Sequence, residues 1–247
     1  MMSPGHRDLL VSATCDCALC AVPPAASMLS RRSFLSGATA TGIAAGLLVG
    51  SPTARAASSL TPDHALQALI DGNRRFVEGR MKEFDEDLSI QKKNTVGKQE
   101  PFAAVLSCAD SRVPVEIVFD QSIGHVFVTR VAGNVASSEI IGSLEYGAAV
   151  LGTRAIMVLG HSSCGAVKAS IDAKAVPGQI STLYRYIRPA VDQAGADVDA
   201  ASKANAKIQA AILREASPVL ADLVKKNALK IVAGFYDLAS GQVDVLG

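Results

Sequence analysis

Residues 101–112 read PFAAVLSCADSR. From Pro101 to Cys108 the run is almost continuously apolar, the pattern of a strand buried on both faces rather than one alternating between core and solvent. Three more runs of this kind follow: HVFVTRVA from His125, AIMVLGH from Ala155 and LKIVAGFYDL from Leu229. QVDVL, from Gln242, suits a short edge strand. Helical stretches are expected between them, at about 138–151, 164–174 and 201–226. Strands alternating with helices build βα units. The expectation is an α/β fold with a mainly parallel central sheet, four parallel strands plus a short edge strand, flanked by helices. Ahead of the sheet, residues 61–80 predict an N-terminal helix arm. Thr61 can cap it, Pro62 suits its first position, Asp63 suits its first turn, and Leu66, Leu69, Ile70 and Phe76 recur at helical spacing. Residues 82–100 are charged and polar, as in a short helix and a loop. Without an internal repeat or a linker after residue 57, one domain over 57–247 is the economical division.

The 247 residues are 49% hydrophobic and 19% charged, enough apolar material for a sizeable core. No tryptophan is present and aromatic residues make up 4%, so stacking platforms for nucleic acid are not expected. The net charge of +1 argues equally against a nucleic-acid or membrane-surface binder.

The first 56 residues read as a secretory signal region. Ser30-Arg31-Arg32-Ser33-Phe34-Leu35 is a twin-arginine pattern, residues 33–54 carry no charge, and Ala54-Arg55-Ala56 is an A-x-A cleavage site. The alternative is a membrane anchor, but a segment so rich in glycine, alanine and threonine fills a bilayer poorly. Export by the twin-arginine route to a periplasmic or extracytoplasmic location is expected, without stable membrane association after cleavage. Met28 would give a more usual signal length as the start. Cys15, Cys17 and Cys20 fall upstream of it, with no further ligand nearby. The removed segment carries Arg7, Arg31, Arg32 and Arg55 against Asp8 and Asp16, so the net charge becomes −1. Only Cys108 and Cys164 remain as cysteines.

In open α/β sheets, ligands bind beyond the carboxyl ends of the strands. Cys108 ends the first strand, and His161 ends the third within GHSSCG, with Cys164 three residues later. Two cysteines and a histidine suit zinc, and three protein ligands leave its fourth position open for chemistry. His64, in the amphipathic helix, and His125, at a strand start, are not obvious fourth ligands. Two other readings fit an exported chain: small buried cysteines, or a Cys108–Cys164 disulfide. Neither accounts for His161 or for Asp110 and Arg112, which could otherwise form only a surface ion pair.

CADSR followed by HSSC resembles the β-class carbonic anhydrases. GNRRF (72–76), FVTRVAGN (127–134), SLEYGAAVLG (143–152), MVLGHSSCGAV (157–167) and GFYDLASGQV (234–243) are similar to that family in the same order, over essentially all of 57–247. The resemblance implies reversible hydration of CO2 to bicarbonate and a proton, by attack of zinc-bound hydroxide. One Zn2+ per chain would be bound by Cys108, His161 and Cys164. Asp110 and Arg112 would form a catalytic dyad. Gln99 would hydrogen-bond the bound ligand, Phe127 and Tyr146 would line a small apolar pocket, and Gly165 would be a pocket glycine. Taken as ordinary residues, Phe127 reads as a buried strand residue and Tyr146 as part of a core helix.

A homodimer or higher homo-oligomer is implied, with the 61–80 helix wrapping onto a partner subunit. In one subgroup a tryptophan three residues before the first zinc cysteine marks a regulatory bicarbonate pocket. Here that position is Val105, although Arg130 matches the pocket's arginine, so the chain resembles the open, unregulated subgroup. Hydrolysis of COS or CS2 on the same scaffold, or a non-catalytic zinc or redox protein, are the alternatives. His64 and His125 are candidate proton shuttles, each reading as readily as a surface histidine. Zinc lowers the pKa of bound water, but two thiolates neutralise the dication and weaken that effect. Hydration should therefore rise towards alkaline pH; a flat turnover rate between about pH 6 and 9 would contradict this.

Overall fold

A computed structural model of the chain describes residues 58–82, 92, 93 and 95–247. The expected signal region at 1–56, the three upstream cysteines and residues 83–91 lie outside the described residues.

The four apolar runs become β1 (Ala103–Ser107), β2 (Val126–Arg130), β3 (Ala155–His161) and β4 (Lys230–Tyr236), and the last becomes β5 (Val243–Leu246). They form one sheet in the order β2-β1-β3-β4-β5. The first four strands are parallel and β5 is a short edge strand, as expected; β5 runs antiparallel to β4. Every residue of β1 and β3 is buried, which is why neither run alternates in sequence.

Period-two geometry then sorts the central strands onto two faces. Ala104, Leu106, Ile156 and Val158 pack in one core with Ala206, Leu213 and Leu220. These last residues come from α6 (Val198–Ala216) and α7 (Pro218–Lys225). Ala103, Val105, Met157 and Leu159 pack in another with Leu69 and Phe119. From β1 the chain passes to β2 on one side, while β3 lies on the other. The carboxyl ends of β1 and β3 therefore flank the topological switch point, where the crossovers diverge and leave a crevice.

The helices differ from expectation in four places. The stretch at 201–226 is two helices, because Ser217 caps a new one and Pro218 occupies its first position; Ser217 Oγ accepts from Leu220 N at 3.0 Å. Helix α5 (Tyr184–Ala194) was not expected, since Pro189 interrupts a polar sequence in which only Ile187 and Ala190 are buried. A short α2 (Val115–Val118) follows β1. The stretch at 138–151 is α3 (Ser138–Glu145) continued by a wide π turn over Tyr146–Val150.

The N-terminal helix, α1 (Pro62–Val77), forms as predicted, with Thr61 Oγ1 accepting from His64 N at 3.2 Å. Part of its apolar stripe is covered within the chain, while Leu66, Ile70 and Phe76 are only partly buried there. Ala65 and Leu69 are fully buried against the β1–β3 face of the sheet. The sheet face that was counted as already covered is the one α1 covers.

GNRRF explains the docking residue by residue. Asn73 is buried; its amide donates to the carbonyls of Val118 (3.1 Å) and Gly241 (2.9 Å) and its oxygen accepts from Val243 N (2.8 Å). Arg75 Nε donates to the buried Asp120 carboxylate at 2.5 Å. Gly72 permits close approach, since a Cβ there would stand 1.8 Å from the carbonyl oxygen of Phe119. Gly72→Ala must push two backbones apart and should cost about 2 kcal/mol in urea denaturation. A loss under about 0.5 kcal/mol, ordinary for a surface change, would contradict this packing.

Candidate metal centre and active site

Cys108 immediately follows β1, and His161 is the last residue of β3. Ser107 stands beside Leu159 in the parallel register, so both residues reach the same carboxyl edge. Cys164 is the N-cap residue of α4 (Gly165–Asp172), three residues beyond His161. One ligand atom from each of the three lies within 4.8 Å of the others, and all three residues are buried. The structure thus brings together the trio selected from sequence. Both cysteines are free thiols.

Second contacts fit these side chains to a cation. His161 Nδ1 lies 2.9 Å from the carbonyl oxygen of Ser162. A carbonyl only accepts, so Nδ1 carries a proton, and in the neutral ring that leaves the lone pair on Nε2. That buried Nε2 has no hydrogen-bond partner, an arrangement that costs stability unless a ligand completes it. Histidine ligands are commonly oriented in this way, by a bond from the ring nitrogen that does not bind the metal.

Cys108 is pulled down to about 4 by the hydrogen bond from Cys164, against the opposing effect of burial, with His161 and the backbone amide of Gly133 also contributing. Gly133 N donates to Cys108 Sγ at 3.3 Å. Cys164 is pushed up, first by its bond to Cys108 and then by burial. The pair holds one proton between two sulfurs. A divalent cation would displace that proton and take both as thiolates.

The Cys108–Arg112 segment then turns its other side chains around the cluster. Asp110 Oδ2 lies 3.9 Å from His161 Nε2. Arg112 grips Asp110 in a fork, Nε to Oδ1 at 2.9 Å and Nη2 to Oδ2 at 2.8 Å, while its backbone N–H donates to Oδ1 at 2.9 Å. That guanidinium holds the Asp110 carboxyl well below the usual carboxylate range, against a smaller desolvation effect. A depressed carboxyl contributes stability above its unfolded value, about 3.9, and loses it as the pH falls towards the folded value. Urea denaturation should therefore show Arg112→Ala less stable than wild type at pH 6, with the gap closing below about pH 4. A gap that stays constant to lower pH would contradict the pairing.

Arg130 is committed elsewhere, donating to the carbonyl oxygens of Cys108 at 2.9 Å and Asp110 at 2.6 Å. It braces the turn from below. Val105, at the position of the missing tryptophan, is fully buried in the sheet core.

Of the remaining candidates, Gln99, Phe127 and Tyr146 are not gathered at the cluster by this chain. Phe127 pairs with Ala104, four residues short of Cys108 along the sheet, or about 13 Å at the usual strand rise. It is half-buried and meets Tyr146 with ring centroids 6.3 Å apart. Tyr146, expected on a core helix, is 45% exposed. Gln99 is exposed ahead of β1, and its neighbours Lys98 and Glu100 line a groove with Ile123 and His125 at the opposite, amino end of the sheet. Gly165 does lie next to Cys164, exposed at the first position of α4 with open space where a side chain would be. His64 is exposed on α1 and His125 starts at the amino edge of β2, away from the cluster.

Several supporting residues were not found from sequence. Gly133, at φ +76°, turns its N–H to Cys108, and Asn205 donates to its carbonyl at 2.8 Å. Gln209 accepts from Ala136 N at 2.9 Å and donates to Asn205. Asn205 and Gln209 are both fully buried. FVTRVAGN signalled the loop, but nothing local in α6 marks its partners.

The family model described as carbonic anhydrase matches residues 103–243. Carbonic anhydrase 2 of Mycobacterium tuberculosis is 36% identical over 189 residues, covering 73% of this chain and 91% of that protein. A carbonic anhydrase of Mycolicibacterium smegmatis is 36% identical over 192 residues, covering 74% and 93%. Among solved structures, a Coccomyxa β-carbonic anhydrase in complex with acetazolamide superimposes with a TM-score of 0.58 at 27% identity, over 73% of this chain and 86% of that one. A β-carbonic anhydrase of Sordaria macrospora, described as tetrameric, shares the fold with a TM-score of 0.59 at 21% identity, over 64% and 90%.

Proposed function

Since this chain belongs to the β-class carbonic anhydrases and is a carbonate dehydratase, catalysing reversible hydration of CO2, we propose that Cys108, His161 and Cys164 hold a zinc ion on which the reaction depends. The observation that carries this assignment is the orphaned Nε2 of His161 facing two thiols, with a carboxylate fastened beside them. Zinc bound there would acidify water and supply a nucleophile near neutral pH.

The protein's own groups do the rest. Asp110 stays ionised at every working pH, because Arg112 holds it so. Its Oδ2 faces the cluster and can accept a hydrogen bond from the attacking oxygen, fixing that oxygen's lone pair towards CO2. The bidentate fork and the backbone N–H of Arg112 keep the carboxylate from moving onto the metal itself. With Val105 in the core and Arg130 bound to two carbonyls, the reading is the open, unregulated form.

Turnover by the zinc-loaded protein of CO2 against COS and CS2 tests the substrate assignment. Faster turnover of a sulfur substrate would replace this reading with hydrolysis on the same scaffold.

A homodimer or higher assembly is part of the proposal. β2 is an edge strand, and Ile117, Ile123, Tyr146 and Val150, each at least 40% exposed, lie on or beside the elements around it. An open strand edge with apolar neighbours suits a second copy of the chain, and the Sordaria protein is tetrameric by its description. Light scattering should give at least twice the chain mass; a monomer at micromolar concentration would contradict this. The twin-arginine signal further proposes export. Among the described residues no helix is long and apolar enough to cross a membrane.

A further inference from the structure

Ser163 lies between two of the proposed metal ligands, and its backbone is left-handed at φ +54°, a conformation uncommon for a residue with a side chain. Such a conformation persists only where surrounding contacts hold it. On its amino side Ser162 is tied to the end of β4: its N–H donates to Tyr236 O at 3.0 Å and its Oγ accepts from Leu238 N at 2.9 Å. Ser163 itself has a single strong anchor, its N–H donating to Asp199 Oδ1 at 2.7 Å. Its carbonyl then accepts from Arg112 Nη2 at 3.3 Å.

We infer that Asp199 is a positioning residue, which fixes the left-handed Ser163 and through it both the His161–Cys164 spacing and the seat of the Arg112 guanidinium. The inference rests on the zinc assignment above. Asp199 is not needed to start its own helix, because Asp197 caps α6, accepting from Ala200 N at 2.8 Å. A carboxylate in the first turn of the helix and directed at a ligand loop is therefore free for this role. Its charge is not the point; an acceptor oxygen at that place is.

The test is zinc dissociation into a chelator from the zinc-loaded protein, with CO2 hydration measured alongside. Asp199→Ala should speed zinc loss about 10-fold, as losses of outer-shell contacts do. Asp199→Asn keeps an acceptor and should release zinc at nearly the wild-type rate. Glycine adopts positive φ freely, so in a Ser163→Gly background the penalty of Asp199→Ala should shrink to within about twofold, the usual limit of additivity. Unchanged zinc release in Asp199→Ala, equal damage in Asp199→Asn, or an equal penalty in both backgrounds would overturn the inference. Amide exchange at Ser163 in the wild-type protein needs no variant: slow exchange is expected, and free exchange would overturn it. Failure of the wild-type protein to bind zinc would sink the metal assignment instead, a result distinct from any of these.

Discussion

Cys108→Ser should yield a folded protein that holds no stoichiometric zinc and hydrates CO2 no faster than the uncatalysed reaction. Cys108 is the ligand with the most support. It follows β1 directly, its sulfur receives the Gly133 amide at 3.3 Å, and its pKa is pulled down to about 4 beside Cys164. A serine hydroxyl fits the space but does not ionise near neutral pH, so the site loses one of two negative charges and one of its two soft sulfur donors. Two ligands then remain, His161 and Cys164, too few for a tight tetrahedral site. Stability of the metal-free form should change little, since the side chain is small and its shape is conserved. Metal analysis and stopped-flow hydration check both halves. Full zinc content with full activity in Cys108→Ser would remove Cys108 from the site.

Asp110→Asn should separate binding from catalysis. The amide keeps the size of the carboxylate but loses one acceptor and all charge. Zinc content should stay near one per chain, because Asp110 is 3.9 Å from His161 Nε2 and both its oxygens are held by Arg112. The hydration rate should fall by about 10²- to 10⁴-fold, the usual contribution of a positioned group that handles a proton in the transition state. A rate within a few-fold of wild type at full zinc content would reduce the Asp110–Arg112 pair to an ordinary ion pair. Loss of the zinc along with the rate would instead make Asp110 a ligand.

The parts of this molecule that were legible in sequence are those with a local signature. Buried parallel strands leave unbroken apolar runs, so β1 to β4 could be placed within two residues of their bounds. Strand ends are where such sheets bind ligands, which made Cys108, His161 and Cys164 a plausible trio before any coordinates. Asp110 and Arg112 are two residues apart, and their fork is a local contact. What was missed is long-range or locally atypical. The hydrogen bonds from Asn205 and Gln209 to the 131–136 loop span 72 and 73 residues, and a polar residue in a helix carries no mark of its partner. Pro189 hid α5 by breaking its pattern. The role of GNRRF could not be read for the same reason, since Gly72 and Asn73 act against Phe119, Val118 and Gly241, residues far along the chain. Gln99, Phe127 and Tyr146 came from resemblance alone, and no local physical signal had tied them to the cluster.

The central claim is that CO2 hydration by this protein depends on one metal ion held by Cys108, His161 and Cys164. Stopped-flow hydration on a single preparation tests it most directly, measured as purified, after chelation, and after zinc is restored. The account predicts activity that disappears with the metal and returns at one zinc per chain. Undiminished hydration by the chelated, zinc-free protein would contradict it.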